Sequence, residues 1–485
     1  MMWVNKTLSH GGPICTRPVS SLISQKTQKK INEKKIKENR RLKKVYPEDD
    51  KDMPVYTFVS TNKNPVSRVF SWGTACYGAL GNPQLLHPQR KSQEPKTAMH
   101  HPMRISDFEM QKVKDVACGY GYSLFAVNDK NGHVYGCGIN NQGQFGYHAE
   151  VPDKPLQILI KPVPLKLPID SNDKVKRMEA GQAHSVILTK NGQVFTLGSN
   201  AYGQCGRPVI DDEDYFNSKV IHSVTIPLDD NDAIVDIECG INHSMFLSQN
   251  GKVYSCGWSA DGQTGVNHYD NQEEPELIKG DIEHEKIVKV ACAADCVLAL
   301  NGNFCHFCIN YRKLKKTYFA DQGDVFGWGN SEYGQFSSVT QDQQVCSPVK
   351  LDLKEVGKVI DVASGGSICM VLNDQHDVWV WGFGILGQGP KVDFSTKPLL
   401  LPPTLFGRNE FNPDAKTTSI YCGVHNNAAI NSYDDLYSWG KSKGGCLGLG
   451  DYKDQFFPFR VNLGGPVTKV SLGIDHTLAL CKPYI

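Results

Sequence analysis

The 485-residue sequence predicts an all-β chain closed as a seven-bladed β-propeller, its ring sealed by pairing of the N- and C-terminal strands. Three observations predict it. One strand motif recurs seven times, a glycine follows every copy at a fixed distance, and the two chain ends carry complementary half-units.

The motif reads VFSWG at 69, VYGCG at 134, VFTLG at 194, VYSCG at 253, VFGWG at 325, VWVWG at 378 and LYSWG at 436. Its closing glycines, Gly73, Gly138, Gly198, Gly257, Gly329, Gly382 and Gly440, stand 65, 60, 59, 72, 53 and 58 residues apart. An aromatic residue precedes each glycine by three: Phe70, Tyr135, Phe195, Tyr254, Phe326, Trp379 and Tyr437. Another glycine follows five residues later, at Gly78, Gly143, Gly203, Gly262, Gly334, Gly387 and Gly445. A strand that turns sharply beside a neighbour needs a residue without Cβ, so these glycines read as architectural.

A second series precedes the aromatic strands: CGYGYS at 118, GQAHS at 181, CGINHS at 239, CAADCV at 292, GGSIC at 365, CGVHN at 422 and GIDHT at 473. Most copies run into apolar stretches such as SVILT or TLALC, the pattern of a buried strand. Repeated strand units cannot each bury their apolar faces alone, so they stack or close into a ring. The first VFSWG lacks a preceding partner and the final GIDHTLAL lacks a following one, so pairing the ends completes a seventh blade and removes the exposed edges.

The aliphatic-aromatic-x-W-G strand, the glycine five later and the GxxH[ST] strand together resemble the repeat of the regulator of chromosome condensation family, over residues 66 to 485. Kelch and WD-type patterns fit less well. The stretches NAYGQCGR, FGWGNSEYGQ, WGFGILGQGP, PPTLFGRNEFNP and DQFFPFRV are similar to the mitochondrial, guanine nucleotide exchange factor-like branch of that family. The resemblance implies a matrix or peripheral inner-membrane location. It also implies action on a mitochondrial dynamin-type GTPase, on large ribosomal subunit assembly through ribosomal RNA and its modifying proteins, or on both.

The net charge of +1 hides an asymmetry. Residues 1 to 45 hold twelve basic and two acidic residues (+10), and the remainder holds 40 and 49 (−9). An acidic body disfavours general nucleic-acid binding except at local basic patches. Residues 1 to 32 contain no Asp or Glu, the composition of a mitochondrial transit peptide, so 1 to 45 is expected to be a targeting segment and 46 to 65 a linker. The run at 29 to 44 also suits a solvated arm or nuclear import, which leaves the nucleus as the lesser alternative. No apolar run reaches the roughly 18 residues of a membrane span. The sixteen cysteines, spread along a chain without a secretory signal, fit a reducing compartment.

Among candidate sites, His184, His243, His425 and His476 are placed together in the GxxH position. Recurrence argues that they bond to backbone in their blades and are not catalytic. Cys118, Cys239, Cys292 and Cys422 share one repeated position where a small apolar residue suffices. GFGILG (382 to 387) matches a dinucleotide pattern, but two glycines belong to the repeat and no helix is expected after it, so no bound nucleotide or other cofactor is expected. Residues 302 to 322 read as a surface insertion; Cys305, His306 and Cys308 within it form too small a set for a zinc site. There is no G-x-S-x-G elbow and no His/Glu metal motif, so no bond-making enzyme is expected.

Two loops remain. The acidic run Asp211, Asp212, Glu213, Asp214 with Tyr215, in the loop 207 to 224, is the candidate contact for a GTPase, where carboxylates compete with phosphate for a P-loop lysine or disturb Mg²⁺. Arg90, Lys91, Lys96 and Arg104, in the loop 83 to 104, are the candidate contact for RNA phosphates.

Overall fold

The structure is a computed structural model that describes residues 67–88, 94–127, 134–151, 154–165, 167–170, 173–215, 222–302 and 323–482. The proposed targeting segment and linker, Arg90, Lys91, Phe216 and the bulk of the insertion lie outside them.

Seven four-stranded antiparallel sheets form the propeller. In blade 3 the order from the axis outwards is Ile234–Cys239, His243–Ser248, Val253–Gly257 and Gln272–Leu277. Blades 1, 2, 4, 5 and 6 begin at Val113, Val175, Ile287, Val359 and Thr417. Blade 7 draws its inner strands from the C-terminus, Val467–Leu472 and His476–Cys481, and its outer strands from the N-terminal end, Arg68–Thr74 and Ala98–Arg104. The seam runs in register from Arg68↔Cys481 to Gly73↔His476, so the closure expected from the two half-units is the one observed.

Each strand's composition follows its radial place. Second strands such as His184–Thr189 and His243–Ser248 are buried throughout, because neighbouring blades cover both faces, and they read as continuous apolar runs. Outer strands are edges. All except the two-residue His222–Ser223 of blade 2 contain proline: Pro102, Pro162, Pro275, Pro348, Pro398 and Pro458. Proline removes a donor that would otherwise template a foreign strand.

The repeated glycines sit where a side chain has no room. Gly257 occupies a bulge against the outer strand with φ +115°, and a Cβ there would lie 2.5 Å from the Asn242 carbonyl oxygen. Gly262, φ +79°, lets its turn rest on the outer strand of blade 4, where a Cβ would meet the Cys346 Cα at 2.5 Å. The turn carbonyls then accept bonds from the next blade. Trp72 Nε1 donates to Cys446 O (2.8 Å), Trp328 Nε1 to Gln263 O (3.0 Å) and Trp381 Nε1 to Gln335 O (2.8 Å). The second residue of the second strand adds Ser123 to Ala79 O (2.8 Å) and Ser244 to Gln204 O (2.7 Å). Each such bond contributes about 1 kcal/mol, and together they tie blade to blade.

GFGILG is part of this scheme. Gly382 closes the third strand of blade 5, and the residues after Gly389 form a turn leading to Phe394–Leu401 with no intervening helix.

Candidate functional site

Strand alternation assigns every connection to a face. Turns after the first and third strands lie on one face, and hairpins after the second strand, with the links from one blade to the next, lie on the other. Asp211–Tyr215 lies on the first face, in the third connection of blade 2. Asn301 and Asp324, whose backbones are joined at 3.1 Å, lie on the opposite face.

Part of the acidic run is held by its own blade. Arg207 holds Glu213 at 2.5 Å, and both are largely buried. The Tyr215 carbonyl packs on Gly143 of blade 1, in the place other blades fill with an outer strand, so Tyr215 belongs to the edge of its blade. Asp211, Asp212 and Asp214 are exposed, and Asp212 has φ +54°. On the same face a recess of about 750 Å³ is lined by Asp261, Tyr269, Glu332, Asp342 and Gln344 of blades 3 and 4.

The two described residues of the RNA candidate are not brought together. Lys96 precedes the outer strand Ala98–Arg104 and Arg104 ends it, so the strand separates them by roughly 20 Å. Arg104 and Arg68 (2.9 Å) both bond Glu109.

The histidine series needs two corrections: in place of the expected bonds to backbone within the blade, His184 Nε2 meets Ser244 Oγ of the next blade at 3.0 Å and His476 meets the side chains of Ser123 and Asp475, and one member is out of place. His184, His243 and His476 each oppose the closing glycine of the adjoining strand, but in blade 6 that position is Asn426, opposite Gly440. His425 lies one residue earlier because CGVHN has only one residue between Gly423 and His425. The three remaining members of the ring, Tyr122, Cys296 and Ile368, stand in the histidine place of their blades.

Sequence reasoning missed a Ser–His–Asp relay. His476 Nε2 meets Ser123 Oγ at 2.8 Å and Nδ1 meets Asp475 Oδ1 at 2.9 Å. Its exposure is 0%, that of Ser123 is 0% and that of Asp475 is 1%, so no substrate reaches it. The Ser123 proton is already given to Ala79 O, which makes Nε2 a donor, and the carboxylate makes Nδ1 a donor too. The ring is therefore imidazolium. Burial works against that charge, but Cys118 and Asp475 raise the pKa to about 10. A cation that cannot accept a proton is no general base.

The axis holds a second unanticipated feature. The third residue of the innermost strands, from blade 7 through blade 6, is Lys469, Asp115, Arg177, Asp236, Lys289, Asp361 and Ser419. Charge alternates around the ring, at a bulge in every blade. Lys469 pairs with Asp115, Arg177 with Asp236 (2.6 Å) and Lys289 with Asp361, each pair crossing a blade boundary. Arg177 also binds Glu179 (3.0 Å) and Glu238. Burial raises the pKa of Glu179 and Glu238, because one guanidinium faces three carboxylates. These groups line an axial channel of about 560 Å³, bordered also by Cys118, Cys239, Cys292 and Cys422. Aligning the first strands of the repeat would have revealed the alternation.

Among known proteins, the regulator of chromosome condensation (RCC1) repeat matches residues 67–126, 131–188, 191–247, 250–300, 322–372 and 433–480. The chain is 40% identical to the RCC1-like G exchanging factor-like protein of Mus musculus over 448 residues, 90% of this chain and 92% of the relative. For the Homo sapiens protein of the same name it is 38% over 444 residues, 90% and 91%. The crystal structure of human WBSCR16 superposes with a TM-score of 0.77 at 39% identity, covering 87% of this chain and all of that one.

Proposed function

Because the chain belongs to the regulator of chromosome condensation (RCC1) repeat family, we propose that it is a propeller guanine nucleotide exchange factor whose target is a dynamin-type GTPase of mitochondria. The observation that carries this is identity of 38–40%, across 90% of the chain, with proteins named as G exchanging factor-like. Exchange makes and breaks no covalent bond. A propeller face that binds the nucleotide-free GTPase more tightly than the GDP form weakens GDP by linkage. In this reading Asp211, Asp212 and Asp214, exposed beside the Arg207–Glu213 clasp, compete with phosphate for a P-loop lysine. Release of labelled GDP from a purified mitochondrial dynamin-type GTPase tests the reading. Acceleration by the full chain supports it, and a basal rate at saturating protein removes it.

A second reading is a non-enzymatic scaffold for mitochondrial large ribosomal subunit assembly that contacts ribosomal RNA and RNA-modifying proteins. What favours it is a cluster of lysines on the face opposite the acidic run.

A further inference from the structure

We propose that Lys112, Lys114, Lys174 and Lys190 form a contact for the phosphate backbone of single-stranded RNA on the face opposite the acidic run. This rests on the scaffold reading and moves its RNA contact away from the loop 83 to 104.

The innermost strands of blades 1 and 2 open with the same alternation, Lys112-Val113-Lys114 and Lys174-Val175-Lys176. In both, the valine is buried in the blade and the following lysine is exposed. The strands are neighbours, joined where Met178 N donates to Asp115 Oδ2 at 2.7 Å, so the two lysine pairs lie side by side. Lys190 joins them from the second hairpin of blade 2, its backbone N–H bonded to Lys174 O at 2.8 Å.

Among the described residues none of the four forms an ion pair. The two acids adjacent in sequence are engaged elsewhere: Asp115 pairs with Lys469 and accepts from Met178 N (2.7 Å), and Asp173 Oδ1 accepts from Lys174 N (2.7 Å) and Asn191 N (3.3 Å). Burial lowers the Lys114 pKa, and Lys112, Lys190 and Lys174 lower it further, as expected where cations crowd without counter-charge.

The chemistry selects the partner. Lysines are point charges that suit phosphate without reading bases. Alternate lysines on a strand repeat at roughly 6.6 Å, a spacing that follows the phosphates of an extended single strand. Where this face joins blades 3, 4 and 5 it carries the exposed acids Asp230, Glu283 and Glu355, beside the ion pairs Lys252–Asp229 and Lys354–Asp352. A flat anionic membrane laid on the face would meet those carboxylates; a strand crossing blades 1 and 2 alone would not.

The test compares the full chain with its Lys112→Gln/Lys114→Gln/Lys174→Gln/Lys190→Gln variant, so that the basic N-terminal segment is common to both. Binding of a labelled oligouridylate is followed across salt concentrations. The variant is expected to bind at least about tenfold more weakly, with a salt slope shallower by roughly 3, near 0.7 for each lost lysine–phosphate contact. Should the variant fold poorly, acetylation footprinting of the unaltered chain decides: RNA is expected to shield these four lysines and to leave Lys354, paired with Asp352 at 2.8 Å, reactive. Binding with an unchanged slope, or without shielding, overturns the site while leaving the scaffold reading intact. No RNA binding by the unaltered chain overturns both. Lysine-dependent binding to anionic phospholipid vesicles and not to RNA assigns the patch to a lipid surface and overturns it as well.

Discussion

Ser123 of blade 1 and His476 of blade 7 meet at 2.8 Å across the blade boundary beside the seam where the chain closes on itself. Asp475 anchors the same seam through His476, through Gly121 N (3.2 Å) and, by its carbonyl, through Thr74 N (2.9 Å). Charge placed at the closure joins three chain segments that no covalent bond connects.

Asp475→Asn is expected to leave a buried imidazolium without its carboxylate and to lower stability by about 3–5 kcal/mol. Thermal denaturation checks it; an unchanged midpoint would remove the latch.

The histidines set opposite limbs of the stability–pH curve. Burial holds His184 at about 4, and burial with His184 beside it holds His243 at about 3. Unfolded histidine titrates near 6.5, so their contribution is whole above about pH 6.5 and is lost as pH falls towards 4, at up to about 1.4 kcal/mol per pH unit each. His476, raised to about 10, does the reverse: its contribution is whole below about 6.5 and is lost as pH rises towards 10. Urea midpoints across pH for the unaltered chain and His243→Leu measure the acid limb, which should become shallower.

Gly257→Ala is expected to cost about 3 kcal/mol or more, because φ +115° is closed to a Cβ and backbone lies 2.5 Å away. Gly450→Ala is the control: φ is +95° but nothing lies within 4 Å, so about 1–2 kcal/mol is expected. Equal losses would show that backbone conformation, and not the close approach, sets the requirement.

Arg177→Met strands three carboxylates in the channel and should destabilise by about 3–5 kcal/mol at pH 7. The loss should shrink at pH 5, where carboxylates whose pKa burial raises take up protons. Denaturant titration at both pH values decides.

Neutralising the exposed acids, Asp211→Asn/Asp212→Asn, is expected to slow GDP release by about tenfold or more without moving the thermal midpoint. Arg207→Ala should instead lower the midpoint, since it leaves Glu213 buried without its partner.

The sequence by itself determined the blade count, the closure and the positions of the turns. Those depend on spacing along the chain, and a Cβ-free residue such as Gly257 is required wherever strand crosses strand. Tertiary structure alone decided which charges meet. Lys469 and Asp115 lie 354 residues apart yet pair across a blade boundary, and Lys96 and Arg104, eight positions apart, stand at opposite ends of one strand. Ring closure brings equivalent positions of neighbouring blades together whatever their separation in the chain, and strand direction parts near neighbours. Periodicity therefore exposed the scaffold, while the relay at His476, the alternating girdle of the channel and the lysine cluster emerged only once the blades were set side by side.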